Sequence, residues 1–374
     1  MAAEIFPWGI LLRLFTFVRL KLSDILILFM LTCGFFLGFT NASISSSIST
    51  FASYLNPLLA FIVIANCRPP YFAKILSTLA VLFPVFLCVS VLQLLGVLNI
   101  IEPVFDLTIP RGGVEQVGSG RGVSIFSTEP SRASVELIFM YAALTAAGSR
   151  FGSVKYGGLF ADIIVGLVIL GVLKSATGVL FFLVFLMVRR PVLLWPTLVF
   201  FFTVFTIMAI ESRAISLVYD IIASGSFIDA ARYLVSQSGF RILSVVSSYV
   251  YGFHNILGLG IGSWQNTAVD SYYLAGFVPS DVSFFRFYYG GVFVPLKPTA
   301  YGAIVSLELG MVAVVMLAIY LAVRLKVLSL GYKKSELALI TIFFLYVFFI
   351  GAVGNPVPWV CAAIVMKLAE VRRC

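Results

Sequence analysis

The chain has 374 residues, of which 61% are hydrophobic and only 11% charged, with a mean hydropathy of +1.09 and a formal net charge of +9. A soluble domain of this length does not have that balance, and a polytopic helical membrane protein does. The basic residues fall in short clusters between apolar stretches, a pattern that reads as membrane topology and excludes a nucleic-acid-binding stripe.

Taken in order, residues 4–20 carry Arg13 and Arg19 and read as an interfacial helix on the inner leaflet. No small-residue cleavage site follows, so no removable signal peptide is expected. Ten spans follow, at about 22–40, 48–66, 72–98, 132–149, 156–173, 175–188, 192–210, 300–323, 336–353 and 356–371. The pair at 156–188 is short and joined by KSATG; it reads as a hairpin, with a re-entrant pair as the alternative. Every second junction is basic. Lys21, Arg68 and Lys74, Arg150 and Lys155, Arg189 and Arg190, Arg324 to Lys334, and Arg372 and Arg373 mark the inner side and put both termini there.

Two long polar segments, 99–131 and 211–299, then face outward. The expected division is 1–210, membrane helices including the first outer loop; 211–299, a large outer loop; and 300–374, the last membrane helices. The outer loop is too long to be a plain connection. Its first half has helical spacing and is expected to form amphipathic helices at the membrane surface. Its second half is rich in Gly, Tyr and Phe and suits either an interfacial belt or stacking on sugar rings. In or beside the two outer segments stand Arg111, Arg121, Arg132, Arg213, Arg232, Arg241 and Arg286, against a single lysine, Lys297. A guanidinium forks onto phosphate or carboxylate as an ammonium cannot, so arginine kept on the disfavoured side points to an anionic ligand.

Three segments carry the candidate chemistry. GRGVSIFSTEPSRASVEL (120–137) places Arg121, Glu129 and Arg132 at a helix entrance, with Ser131 and Ser134 as hydroxyl donors and Glu136 one turn deeper. A capped entrance with a salt bridge is the plainer reading. SGFRILSVVSSYVYGFHNILGLGIGSW (238–264) carries Arg241, His254 and the turn Gly258-x-Gly260-x-Gly262, whose amides can face an anion or serve an ordinary tight turn. His254 is a base, a donor to a sugar hydroxyl or a packing residue. KPTAYGAIVSLELGMVAVVML (297–317) carries Tyr301 and places Glu308 two turns into a span, facing a polar cavity or fixing helix register. Asp162 and Lys174 are further boundary charges, too far apart for an intrahelical pair. The lone His254 excludes a multi-histidine metal site, and the five cysteines suggest no disulfide framework.

In their order and placement, these segments together with KSATGVLFFLVFL resemble the O-antigen ligase/polymerase superfamily, and within it the Wzy-type polymerases of bacterial polysaccharides. The likeness covers most of the chain. It implies an all-α glycosyltransferase of the GT-C type that needs no metal or other cofactor. Its partners would be undecaprenyl-diphosphate-linked oligosaccharides, the bilayer of the bacterial inner membrane, and flippase and chain-length-regulating proteins, with an outward, periplasmic active site. For such a transfer the expected catalytic residues are Glu129, His254 and Arg241, with Glu129 as first-choice base and His254 as second on their own chemistry rather than by the likeness. Arg121, Arg132, Arg232, Arg241, Arg286 and Tyr301 would bind diphosphate and glycan. Members of the ligase branch carry His-Asn eleven residues before the glycine of the last motif; Thr299-Ala300 stands there before Gly310, which favours the polymerase branch. A transporter or flippase for an anionic lipid-linked saccharide, or a ligase, is the alternative.

Overall fold

The structure is a computed structural model that describes residues 20–97, 129–151, 158–193, 240–327 and 331–373. The interfacial helix expected at 4–20 and almost all of the span at 192–210 lie outside those residues, as do Arg111, Arg121, Arg213 and Arg232. Among the described residues the fold is all-helical, without strands. In chain order the helices are α1 (Leu22–Asn41), α2 (Ile44–Asn66), α3 (Pro69–Leu94), α4 (Pro130–Phe151), α5 (Leu159–Leu167), α6 (Ala176–Arg189), α7 (Phe240–His254), α8 (Trp264–Leu274), α9 (Ser283–Tyr288), α10 (Tyr301–Leu325), α11 (Lys334–Leu345) and α12 (Val357–Arg373). Over the described residues, each expected span other than 192–210 coincides with helix. Four of them, α1, α2, α3 and α10, are long and apolar enough to cross a membrane.

Local chemistry sets the ends. Ser43 caps α2 by accepting from the Ser46 amide at 3.2 Å. Prolines open α3 and α4, where a missing amide donor costs nothing. α5 and α11 each run on into a π turn, at Val168–Val172 and Tyr346–Ile350. The second of these ends at Gly351 and frees the chain to turn toward α12.

The core lies where α2, α4, α10, α11 and α12 meet. Trp359 is fully buried there, its ring 5.0 Å from Tyr301, 5.3 Å from Phe343 and 6.1 Å from Phe61. α1 and α3 flank this core, reach it with Ile27, Leu31, Phe72 and Phe83, and expose large apolar side chains such as Leu22, Phe29, Phe36 and Val81. Such surface belongs in lipid.

One end of the bundle is held by a buried charge network. Asp24 on α1 meets Arg324 on α10 at 2.9 Å, and the Tyr320 hydroxyl donates to the same carboxylate at 3.0 Å. Asn66 of α2 donates to Asp24 at 3.2 Å and accepts from Arg324 at 3.2 Å. Partial burial, and then the nearby Arg324 guanidinium, hold Lys21 below the usual ammonium range. This is the end that the basic junctions assign to the inner side.

The surface helices expected in the first half of the outer loop, 211–250, are described only from residue 240. There α7 packs along the side of α10. Its buried residues are Ser244, Ser247, Ser248 and Gly252 together with Leu243, Val245 and Tyr251. A Cβ on Gly252 would stand 2.1 Å from the Ser306 hydroxyl, and that hydroxyl donates to the Ser248 carbonyl at 3.0 Å. Small residues let two helix backbones approach, and the hydroxyls that remain bond to backbone. α7 therefore descends as far as Gly310, about 14 Å along α10 at the usual helical rise. The chain turns there and returns through α8.

Candidate functional site

At the opposite end of the bundle from Asp24, a cavity of about 370 Å³ is lined by the ends of six segments. The entrance of α4 gives Glu129, Ser131 and Arg132; the start of α6 gives Thr177; the start of α7 gives Phe240 and Arg241. Lys297 to Thr299, which lead into α10, form another wall. Ser53 of α2 and the stretch from Tyr346 to Asn355 complete it. The α4 and α6 starts, the start of α7, residues 297–299 and Asn355 fall at stretches that the charge pattern places outside, while Ser53 and Tyr346 line the cavity from within their spans. The volume is that of an ordinary small-molecule site.

The electrostatics are cationic. Arg132, Arg241 and Lys297 line the cavity with Glu129. Arg241 forms an ion pair with Glu129, and its other terminal nitrogen donates to Ser131 Oγ at 3.2 Å. Ser131 in turn donates to Glu129 Oε2 at 3.2 Å. Both members of the pair are partly exposed to the cavity, at 47% and 40%, so their interaction is screened and weak. Across from them the Lys297 ammonium stands 3.5 Å from Ser53 Oγ. Asn355 donates to Glu136 at 2.8 Å and accepts from the Val357 amide at 3.0 Å, which ties the start of α12 to α4.

Three of the residues named from sequence, Glu129, Arg132 and Arg241, thus come together. Thr299, at the position where the ligase pattern has histidine, lines the same cavity. Three others do not join them. His254 is exposed at the far end of α7, its Nδ1 2.9 Å from the Val250 carbonyl. Thirteen residues of helix separate it from Arg241, about 20 Å, too far for both to touch one reacting centre. Arg286 is exposed on α9 and lies over the Phe287 ring at 5.0 Å. Tyr301 is a core residue whose hydroxyl donates to the Tyr54 carbonyl at 3.1 Å. Arg121 and Arg232 lie outside the described residues.

Sequence reasoning left Lys297 and Ser53 without a role. Lys297 was visible as the one lysine of the outer loops. Ser53 belongs to a polar run inside a span (Ser46, Ser47, Thr50, Ser53, Tyr54 and Asn56, all buried) that signalled a specialised helix face.

The glycine turn faces an anion, and that anion is Glu308. The Gly262 amide donates to Glu308 Oε1 at 2.9 Å and the Trp264 amide at 3.4 Å, while the Tyr54 hydroxyl donates to Oε2 at 2.7 Å. The Leu259 and Gly260 amides donate to the Glu308 carbonyl at 2.9 and 2.8 Å. Of the two readings of Glu308, the one that fixes register holds. α10 is broken at Gly310 (φ 78°, ψ 178°), and the Val312 amide freed by the break donates to the Ile256 carbonyl at 3.3 Å. Irregular backbone inside a bundle is tolerated when neighbouring chain satisfies it in this way.

Part of the aromatic segment forms a core of its own. Tyr272, Phe285 and Phe293 are buried together, with ring centroids 4.9–5.6 Å apart, as a small core beneath α8 and α9. Tyr273, Phe287 and Tyr288 are exposed around it.

Asp162 is paired, with Arg189 at 2.6 Å and Arg190 at 3.4 Å; Lys174 is exposed at the KSATG turn.

Comparison of the chain with protein-family models, with curated proteins and with solved structures gives no match.

Proposed function

We propose that the chain is a membrane glycosyltransferase that polymerises lipid-linked oligosaccharide repeats. It would transfer a growing glycan from undecaprenyl diphosphate to an acceptor repeat at the outer face of the bacterial inner membrane. The observation that carries the reading is the shared cavity of Arg132, Arg241 and Lys297, which come from three separate parts of the chain. Three cations against the single carboxylate of Glu129 suit a diphosphate better than a neutral sugar. In this reading the fold is GT-C-like, with ten spans and both termini inside.

The chemistry follows from that charge. The acceptor oxygen bonds to the anomeric carbon of the donor, and the bond from that carbon to the diphosphate breaks with its electron pair leaving on phosphate. The cations offset the charge that develops there; preorganised charge of this kind is commonly the largest catalytic contribution. Glu129, at the cavity wall, takes the acceptor proton. The distance from Arg241 to His254 removes His254 from that role.

Transport of an anionic lipid-linked saccharide is the second reading. The break in α10 favours it, because discontinuous helices frame the sites of many transporters. Here, however, the break is filled: a Cβ at Gly310 would lie 2.2 Å from the Ile256 carbonyl oxygen. Purified protein in vesicles with diphosphate-linked repeats separates the two. Longer glycans in vitro, lost with Arg241→Ala, support polymerisation. Movement of repeats across the bilayer without new bonds sinks it.

A further inference from the structure

Glu129 holds Arg241 where a substrate phosphate would. One terminal nitrogen of the guanidinium takes the carboxylate and the other takes Ser131 Oγ, which itself donates to Glu129 Oε2. One arm of the guanidinium fork thus holds an anion and the other a neutral hydroxyl, where a phosphate would take both arms. The carboxylate belongs to the residue just ahead of Pro130 at the α4 entrance, and the guanidinium to the start of α7. Because both groups are partly exposed, exchanging one anion for another is easy.

We propose that the Glu129–Arg241 pair is an exchangeable latch. A phosphate of the substrate displaces the carboxylate from Arg241 and Ser131, and only then is the carboxylate free to accept the acceptor's hydroxyl proton. The inference rests on the reading of the cavity as a diphosphate-glycan site and adds its regulation. A base that is engaged until the donor arrives cannot activate water or an acceptor ahead of the donor. Arg132, beside Glu129 at the α4 entrance, and Lys297, on the stretch leading into α10, draw the incoming diphosphate to the cavity and leave Arg241 for the exchange.

The test uses the full chain in detergent and inorganic pyrophosphate as probe, with binding followed by calorimetry. Glu129→Ala removes the internal competitor and adds no donor, so pyrophosphate should bind about three- to tenfold tighter than to the parent chain. Affinity unchanged or weaker in that variant overturns the latch. A second measurement needs no variant. Pyrophosphate should speed carbodiimide modification of Glu129 in the parent protein, read by peptide mass spectrometry; an unchanged or slower rate overturns the latch equally. Neither readout depends on polymer synthesis. If the parent chain makes polymer while both readouts stay flat, the latch fails and the polymerase reading stands. If both readouts respond but no polymer forms, the polymerase reading fails and the exchange remains a property of the anion site.

Discussion

The Gly262 amide donates to the carboxylate of Glu308 at 2.9 Å, across 46 positions of sequence. With Trp264 and Tyr54 it makes Glu308 the peg on which the 255–263 turn hangs. Glu308→Ala leaves three buried donors without their acceptor and should cost about 3 kcal/mol or more. Glu308→Gln keeps an acceptor and should cost less than half as much. Thermal unfolding in detergent decides; equal losses for the two variants refute the peg.

The crowded glycines of the turn are expected to differ sharply from the open Gly276. Gly260 has φ 101°, and a Cβ there would stand 2.3 Å from the Gly38 amide nitrogen on α1. Gly260→Ala should therefore cost more than about 3 kcal/mol. Gly276 has φ 78° with open space around it, so Gly276→Ala should cost only the left-handed penalty of about 1–2 kcal/mol. Melting temperatures of the two variants check the contrast.

Lys297 is the cavity's one ammonium, opposite the Arg241 wall. Lys297→Met should weaken pyrophosphate binding about fivefold at low salt and flatten its dependence on ionic strength. Calorimetry at low and high salt measures both. Undiminished binding removes Lys297 from the site.

At the other end of the bundle, Arg324→Met leaves the buried Asp24 carboxylate facing Tyr320 and Asn66 without its cation. The expected cost is about 3–5 kcal/mol, and Asp24→Leu in the same chain should recover part of it. Unfolding of the single and double variants gives the coupling.

Sidedness is open to direct measurement. A cysteine at Gly276 or Tyr288 should react with a membrane-impermeant thiol reagent from the outer face, and one at Lys334 only after the membrane is opened. Labelling of Tyr288→Cys from the inner side would put the cavity on the wrong face for a periplasmic donor.

Much of this molecule was readable along the chain. Long apolar runs gave α1, α2, α3 and α10, and the crowding of Glu129, Ser131 and Arg132 at a proline-led helix start gave one wall of the cavity. The descent of α7 was not readable. Its buried face mixes Ser244, Ser247, Ser248 and Gly252 with Leu243, Val245 and Tyr251, while its exposed face also carries apolar Ile242, Val246 and Phe253, so no single apolar stripe marks the side that meets α10. The anion opposite the glycine turn was also hidden, because Glu308 and Tyr54 meet across 254 positions and no local spacing encodes that. Lys297 carried no motif at all; only the path of the chain into α10 brings it to the cavity.

The α5–α6 hairpin has a consequence for the lipid around it. Ser134 of α4 bonds to Ser175 at the hairpin's tip at 2.9 Å, and Tyr141, midway along α4, bonds to Asp162 at its base. Each limb is about 21 Å long, whereas α4 is about 33 Å. With its tip level with the cavity, the whole shortfall falls at the base, where Arg189 and Arg190 gather. In a bilayer, the partly exposed Arg190 guanidinium would reach for headgroups at that base, while Asp162 offsets the charge of the buried Arg189.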